Sequence, residues 1–367
     1  MGNFNLRTIG NRSHMLSLLL LLCLVLPSCG HKDERELEEM QSSGIVLVQN
    51  KSYYEVTLPN GNSLYFTSYD DKDGISGLAF DADSVEIARS YGTGFFIGDD
   101  GRIATNAHVV SSSVKDKDVK KSVGDIFDAI KQLLALEYEE KVGQLSQIQD
   151  AYDYANMSPD VSYADFYTIK EIRDRAVEEL DEMRSTYSAI DNIRVSDTEI
   201  NYHNEVSVAY NDTHVNKDTD FSECVILTVD PDHDLALLQL KSKKTPEGKY
   251  VFMIAEEDPY ETYSLSDKIA SKIHGDKNDK LFLHGFNLGP ALAITEEGLK
   301  AQFTSGSVSQ KTEDRLMYSI PALPGSSGSP VVNKEGELVA INFAGLSQTQ
   351  NFNYGVRVKH LRNLLKR

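Results

Sequence analysis

The sequence of 367 residues predicts a mainly β fold of barrel type, interrupted by a long helical hairpin. Two observations carry the prediction. Short runs rich in Val, Ile, Leu, Tyr and Phe recur before residue 110 and again from residue 206 onward, broken by turn sequences such as Pro59-Asn60-Gly61-Asn62 and Asp99-Asp100-Gly101. Many short strands at close spacing point to barrels. Between these regions, apolar residues return at three- and four-residue steps, the period of a helix face.

The N-terminus comes first. Arg7 and Arg12 precede an almost wholly apolar run from Met15 to Leu26, and Leu26-Pro27-Ser28-Cys29 follows. About twelve apolar residues are too few to cross a hydrocarbon core of roughly 30 Å as a helix, but they suit a secretion signal over residues 1–28. Leu-Pro-Ser-Cys resembles a bacterial lipoprotein cleavage box, which implies cleavage before Cys29 and lipid on its thiol. Residues 29–41, dense in charge, are expected to be a solvated tether between lipid and domain. The expected location is the bacterial cell envelope, membrane-anchored and either periplasmic or surface-exposed.

Strand-like runs at 44–48, 53–58, 63–66, 94–97, 103–105, 206–210, 224–229 and 235–240 assign residues 42–110 and 195–245 to a first barrel. Residues 111–194 form the insertion. Ile126, Ile130, Leu133 and Leu134 start one helical series and Phe166, Ile169, Ile172 and Ala176 the other, with Pro159 marking the turn between them. These helices, within 121–191, are candidates for a lid, a substrate guide, a homo-oligomer contact or a partner contact. Residues 246–367 are assigned to a second barrel, with apolar residues 358, 361, 364 and 365 predicting a terminal helix.

Composition excludes several functions. There are 37 basic and 56 acidic residues, a formal charge of −19; loss of Arg7 and Arg12 with the signal leaves 35 basic residues and about −21. Such a surface repels nucleic acid and anionic lipid, so neither is an expected partner. No phosphate-binding glycine loop and no Cys/His spacing for zinc is present, so no cofactor and no metal are expected. Asp71-Lys72-Asp73-Gly74 with Asp81 and Asp83 lacks the periodicity of a calcium loop and reads as an acidic turn. Cys23 leaves with the signal and Cys29 takes lipid, so Cys224 is left without an intrachain partner, as a small buried hydrophobe in a strand.

Three motifs carry the chemistry. Gly325-Ser326-Ser327-Gly328-Ser329-Pro330 sets a serine between glycines; Thr105-Asn106-Ala107-His108-Val109 and Asp234-Leu235-Ala236-Leu237-Leu238 lie upstream. A serine hydroxyl is a poor nucleophile at neutral pH and needs a base in reach, and the base needs a carboxylate to set its tautomer. Ser327, His108 and Asp234 fill those roles. The flanking glycines allow a sharp turn that aims the amides of Gly325 and Ser327 at one oxyanion. Ser326 and Ser329 are rivals by proximity, but only Ser327 has Gly two before, Gly directly after and Pro three after. The remaining candidates, His203, His214, His233, His274, His284 and His360, lack the histidine motif and are expected at the surface or in loops.

Together with Gly92-Thr93-Gly94-Phe95, these motifs resemble the trypsin/chymotrypsin-like serine peptidases, in particular HtrA-like proteases and glutamyl endopeptidases, over roughly residues 42–110 and 195–367. The resemblance implies a chymotrypsin-like double β-barrel with the cleft between barrels, and a serine endopeptidase acting on protein or peptide substrates. Ser326 departs from the family's Asn or Asp, which argues against zymogen activation through that position. No PDZ module of the kind many HtrA-like proteases carry is seen. In this family the primary pocket is lined by the segment before the serine and a strand after it, here Pro321 and Ala322, then Asn342, Phe343, Ala344 and Gly345. Neither segment carries charge, so cleavage after small to medium uncharged residues is expected. The rival reading is a catalytically silent peptide-binding or adhesion lipoprotein on the same barrels.

Overall fold

In the computed structural model, which describes residues 33–345 and 352–367, two antiparallel sheets meet face to face and a helical hairpin projects from the first. The signal segment, Cys29 and the start of the tether lie outside the described residues. The first sheet contains β1 (Ile45–Thr57), β2 (Ser63–Phe66), β5 (Ala88–Phe96), β6 (Arg102–Thr105), β7 (Glu199–Tyr210), β8 (Ser222–Asp230) and β9 (Leu235–Leu240), in the order β2-β1-β5-β6-β9-β8-β7. A separate small hairpin, β3 (Ser68–Asp70) with β4 (Gly74–Ser76), turns on the Asp70 side chain, which accepts from the amides of Lys72 and Asp73. β7 also pairs with β1, from Val46 opposite Tyr210 to Thr57 opposite Glu199, so six strands close on themselves. Closure leaves those six strands no open edge.

Strand β1 is buried on both faces over its first half. Val46 and Val48 pack with Phe96, Ile103, Val208 and Leu238 from the other barrel strands. Their neighbours Ile45 and Leu47 join Phe95 and Leu237 against Phe282, Phe286, Val332 and Ile341 of the second sheet. This is why Ile45-Val46-Leu47-Val48 is continuously apolar instead of alternating.

The second unit starts with α5 (Leu265–His274), which among the described residues is preceded by four other helices. These are α1 (Glu34–Gln41), the one-turn α2 (Ala107–Val110), α3 (Asp116–Met157) and α4 (Tyr163–Asp191). After α5 come β10 (Leu281–Gly285), α6 (Pro290–Ala293), β11 (Ile294–Thr295), β12 (Gly298–Leu299), β13 (Gln302–Gly306), β14 (Val308–Lys311), β15 (Arg315–Tyr318), β16 (Pro330–Val332), β17 (Leu338–Gly345), β18 (Asn353–Arg357) and α7 (Val358–Leu364). Seven strands run in the order β13-β10-β16-β17-β18-β15-β14, a half-barrel that stays open among the described residues. The fold is thus mainly β, one closed six-stranded barrel and one half-barrel, consistent with a chymotrypsin-like double barrel. Helix α7 buries Val358, Leu361 and Leu364 in the core shared by the two sheets.

Helix α1 differs from expectation. Residues 34–41, read from their charge as part of a solvated tether, form a docked helix. Leu37 is 1% exposed within the shared core, and Gln41 Nε2 donates to the Gly336 carbonyl at 2.9 Å. Met40 packs half-buried against the same core, and Leu37 fits because Gly336, at φ +79°, leaves room where a Cβ would sit 2.6 Å from Leu37 Cδ1. The surrounding Glu and Arg residues stay in water and hide the pattern.

The insertion comprises α3, 42 residues and about 63 Å long at 1.5 Å per residue, and the antiparallel α4. Its base is anchored: Val119, Val123 and Phe127 pack onto Tyr54, Val56, Leu64 and Phe66. Ser162 caps α4 by accepting from the Asp165 amide, just after the turn containing Pro159. Farther out, Tyr152 packs on Phe166, Arg173 stacks over Tyr152 at 4.2 Å, and Lys141 pairs with Glu179. Leu133, Leu136, Met157 and Tyr163 remain exposed.

Two of the histidines expected at the surface or in loops are buried. His284 lies within β10 beside Phe303, and burial pushes its imidazole down to about 3. His360 is enclosed in α7. His203 is half-exposed and pairs with Glu55, while His214 is exposed. Cys224 is buried in β8 with its thiol pushed up to about 12 by desolvation, so it holds its proton at neutral pH.

Candidate active site

Neighbouring strands bring His108 and Asp234 together. β6 ends at Thr105 and β9 starts at Leu235; their register sets Thr105 opposite Ala236, so the helix after β6 meets the turn before β9. His108 Nδ1 lies 2.8 Å from Asp234 Oδ2, and the His108 amide donates to Asp234 Oδ1 at 3.0 Å. An ionised carboxylate only accepts, so Nδ1 carries the proton and Nε2 keeps its lone pair. Asp234 stands at φ +52°, a left-handed conformation that Asp tolerates better than most residues. Its carbonyl accepts from Asn106 Nδ2 at 2.8 Å, which clamps the turn to the residue preceding α2.

The serine loop is held from both sheets. Thr93, fully buried in β5, donates its amide to the Ser327 carbonyl at 2.8 Å and its hydroxyl to the Gly325 carbonyl at 2.8 Å. The same hydroxyl accepts from the Phe286 amide at 3.0 Å. On the other side the Gly328 amide donates to the Asn342 carbonyl, and the Asn342 amide to the Ser329 carbonyl, each at 2.8 Å. Gly325 and Gly328 sit at φ +98° and +89°. A Cβ on Gly325 would collide with the Phe286 carbonyl, and one on Gly328 with the Thr93 carbonyl. Gly328 also lies against Thr105 and Asn106, and Gly92 lies against both Val109 and the Ser327 carbonyl, so the loop abuts the helix that carries His108.

Among the described residues, the amides of Gly325 and Ser327 have no internal acceptor, and Ser327 Oγ makes no hydrogen bond. Two free amides flank a half-exposed hydroxyl. The rival serines are withdrawn: Ser326 Oγ donates to the Leu323 carbonyl at 2.7 Å, and Ser329 is 0% exposed beneath Gly285. His233 turns away from Asp234 and bonds Asp230 at 3.1 Å.

The expected specificity segments divide. Pro321 is exposed and Ala322 half-buried, leaning on the cluster around Tyr318 and Ile320. Asn342 was expected to line the pocket, but it is 1% exposed. Its Oδ1 accepts from Tyr318 and its Nδ2 donates to the Ser326 carbonyl at 3.0 Å, so it braces the serine loop from below. An amide with bonds on both ends belongs in the core. Phe343 is half-buried with the Arg315 guanidinium 4.8 Å from its ring, a nearby charge that sequence reasoning did not place. Ala344 and Gly345 end β17. A cleft of about 810 Å³, lined by Lys51, Ser207, Phe221, Glu223 and Lys241, opens elsewhere on the first barrel and contains none of His108, Asp234 and Ser327.

Thr93 and Asn106 are the supporting residues that motif reading missed, and Asn342 is one to which it gave a different role. Thr93 and Asn106 lie inside quoted motifs, and their buried polar character was the available signal.

Residues 191–341 match the family model of the trypsin-like peptidase domain, a span that includes Asp234 and Ser327. The solved serine endoprotease from Yersinia pestis is similar at a TM-score of 0.42 and 12% identity, covering 91% of this chain and 65% of that one. This chain therefore spans just under two thirds of that protein's length. No curated protein matches the sequence.

Proposed function

We propose that this chain is a trypsin-like serine peptidase, a lipid-anchored endopeptidase of the cell envelope that cuts protein or peptide chains through an acyl-enzyme on Ser327. The observation that carries the reading is the doubly bonded His108–Asp234 pair beside a serine loop with two unengaged amides. His108 Nε2 takes the Ser327 proton as Oγ attacks the scissile carbonyl, and Asp234 stabilises the imidazolium that forms. The Gly325 and Ser327 amides receive the negative oxygen of the tetrahedral intermediate. His108 then protonates the leaving amine, and water releases the acyl group by the same steps in reverse. Ser327 Oγ and His108 are not hydrogen-bonded without substrate, and the proposed step needs that bond to form when substrate fills the cleft, as catalytic hydrogen bonds commonly do.

Cleavage after small to medium uncharged residues is supported by the lack of charge in 319–324 and 341–345. Lipid on Cys29 would hold the domain at a membrane, a reading that rests on Leu26-Pro27-Ser28-Cys29. The test is fluorophosphonate labelling of the wild type and Ser327→Ala, followed by cleavage of a diverse peptide library. Labelling that persists in Ser327→Ala, or a wild type that neither labels nor cuts, would overturn the assignment. A profile dominated by Arg, Lys or Glu before the cut would overturn the specificity alone.

A further inference from the structure

Behind the catalytic pair, three side chains from distant parts of the chain converge. His233 comes from the turn between β8 and β9, Asp314 from the turn between β14 and β15, and His360 from α7. One ligand atom from each lies within 4.8 Å of the other two. The imidazoles of His233 and His360 stack with centroids 3.8 Å apart and planes 22° from parallel. His360 Nε2 is buried and lies 3.0 Å from Asp314 Oδ1, yet the two form no aligned hydrogen bond. A buried ring nitrogen without an aligned partner is costly to leave so.

We propose that His233, His360 and Asp314 form a binding site for a divalent transition metal of the zinc type. Two neutral imidazoles and a carboxylate are a borderline-soft donor set that selects zinc-like ions over calcium or magnesium. With metal–ligand bonds of about 2.0 Å, tetrahedral ligand atoms sit about 3.3 Å apart. The His360–Asp314 separation already approaches this, and Asp314, exposed in a turn, has freedom to adjust. The His233 Nδ1 bond to the buried Asp230 carboxylate leaves Nε2 as the ligand atom, and because the two rings stack nearly parallel, one of them must turn for both in-plane lone pairs to face the ion. Arg367 stands 3.5 Å from Asp230 and Lys359 4.0 Å from Asp314, so both carboxylates have cationic neighbours that must share them.

The place of the site gives it a consequence. His233 directly precedes Asp234 in the turn of the first barrel, whereas Asp314 and His360 belong to the second unit. A bound ion therefore ties the two units together and fixes the turn that presents Asp234.

The test uses the full-length protein carrying His108→Ala, which removes the catalytic imidazole as a rival ligand, with excess Mg²⁺ to occupy exposed carboxylates. Titration with Zn²⁺ followed by calorimetry should show one ion bound at micromolar or lower Kd. His233→Ala and His360→Ala should each weaken that binding at least about 100-fold. Asp314→Asn, an exposed change that leaves the core untouched, should weaken it about tenfold or more. At 100-fold excess over Kd, Zn²⁺ should raise the unfolding midpoint by about 5 °C in the parent and not in His360→Ala. Absence of binding, or binding equally strong in all three variants, overturns the site. Binding without a rise in the midpoint overturns the tie between the units.

Discussion

Thr93→Val tests whether one hydroxyl holds the nucleophile loop. Val preserves the branched shape in the buried centre of β5, so the change isolates Oγ1. That atom serves the Gly325 carbonyl as donor and the Phe286 amide as acceptor. Neither group has another partner among the described residues. Each buried group left unsatisfied costs about 1–3 kcal/mol, so the expected loss of stability is about 3 kcal/mol with partial relaxation. A loop displaced by about 1 Å should also lower kcat by about 100-fold. Thr93→Ser keeps the bridge and should lose only about 1 kcal/mol, with activity close to wild type. Denaturant melts and kcat/KM on one peptide substrate measure both effects. If Thr93→Val stays within about 0.5 kcal/mol of wild type at full kcat, the bridge does not hold the loop.

Ser327→Ala should lower turnover by at least about three orders of magnitude, while Ser329→Ala should change it less than about threefold; the opposite ranking would move the nucleophile. Gly328→Ala forces a Cβ into the Thr93 carbonyl at positive φ and should abolish activity with a lowered unfolding midpoint; an active, stable variant would contradict the loop geometry. His284 titrates at about 3 in the fold against an ordinary value of 6.5. The unfolded chain binds a proton that the folded one refuses, so this stability is complete above about 6.5 and is lost as pH falls toward 3. His284→Phe should flatten the acid side of a stability–pH curve, and parallel curves would dismiss the buried imidazole as its cause. Cys29→Ser should shift the protein from the membrane to the soluble fraction or stall its processing, whereas an unlipidated wild type would end the lipoprotein reading.

What could be read from sequence follows from the range of the interactions. The glycines around Ser327 are a local signal, since a left-handed turn needs them whatever the rest of the chain does. The helical series in the insertion is local as well, a periodicity that packing at the base and between the two helices uses directly. Asn342 was misread because its strand address suggests a pocket wall, while its actual neighbours, Tyr318 and Ser326, are 24 and 16 positions away. Helix α1 was misread because Leu37 and Met40 are outnumbered by charges and the pocket for Leu37 is supplied by Gly336, almost 300 residues later. His233 and His360 carry no spacing signal at all, since their stacking depends on how the two units dock.

The insertion also bears on how the chain finds its fold. His108 and Asp234 are 126 residues apart in sequence, and the partners on β1 and β7, which enclose the same insertion, are 142 to 164 apart. The hairpin consists of local contacts, which form early, in microseconds, whereas pairing of distant strands is slow. Once formed, it returns the chain to its own base, where Lys120 Nζ reaches the Ser196 carbonyl at 2.8 Å. The segment left to search then shrinks to roughly 50 residues, which lowers the loop-closure cost by about 0.8 kcal/mol. A segment that looks like an obstacle between base and acid thus shortens the conformational search that unites them, and shortening the hairpin symmetrically from its tip should leave the folding rate nearly unchanged.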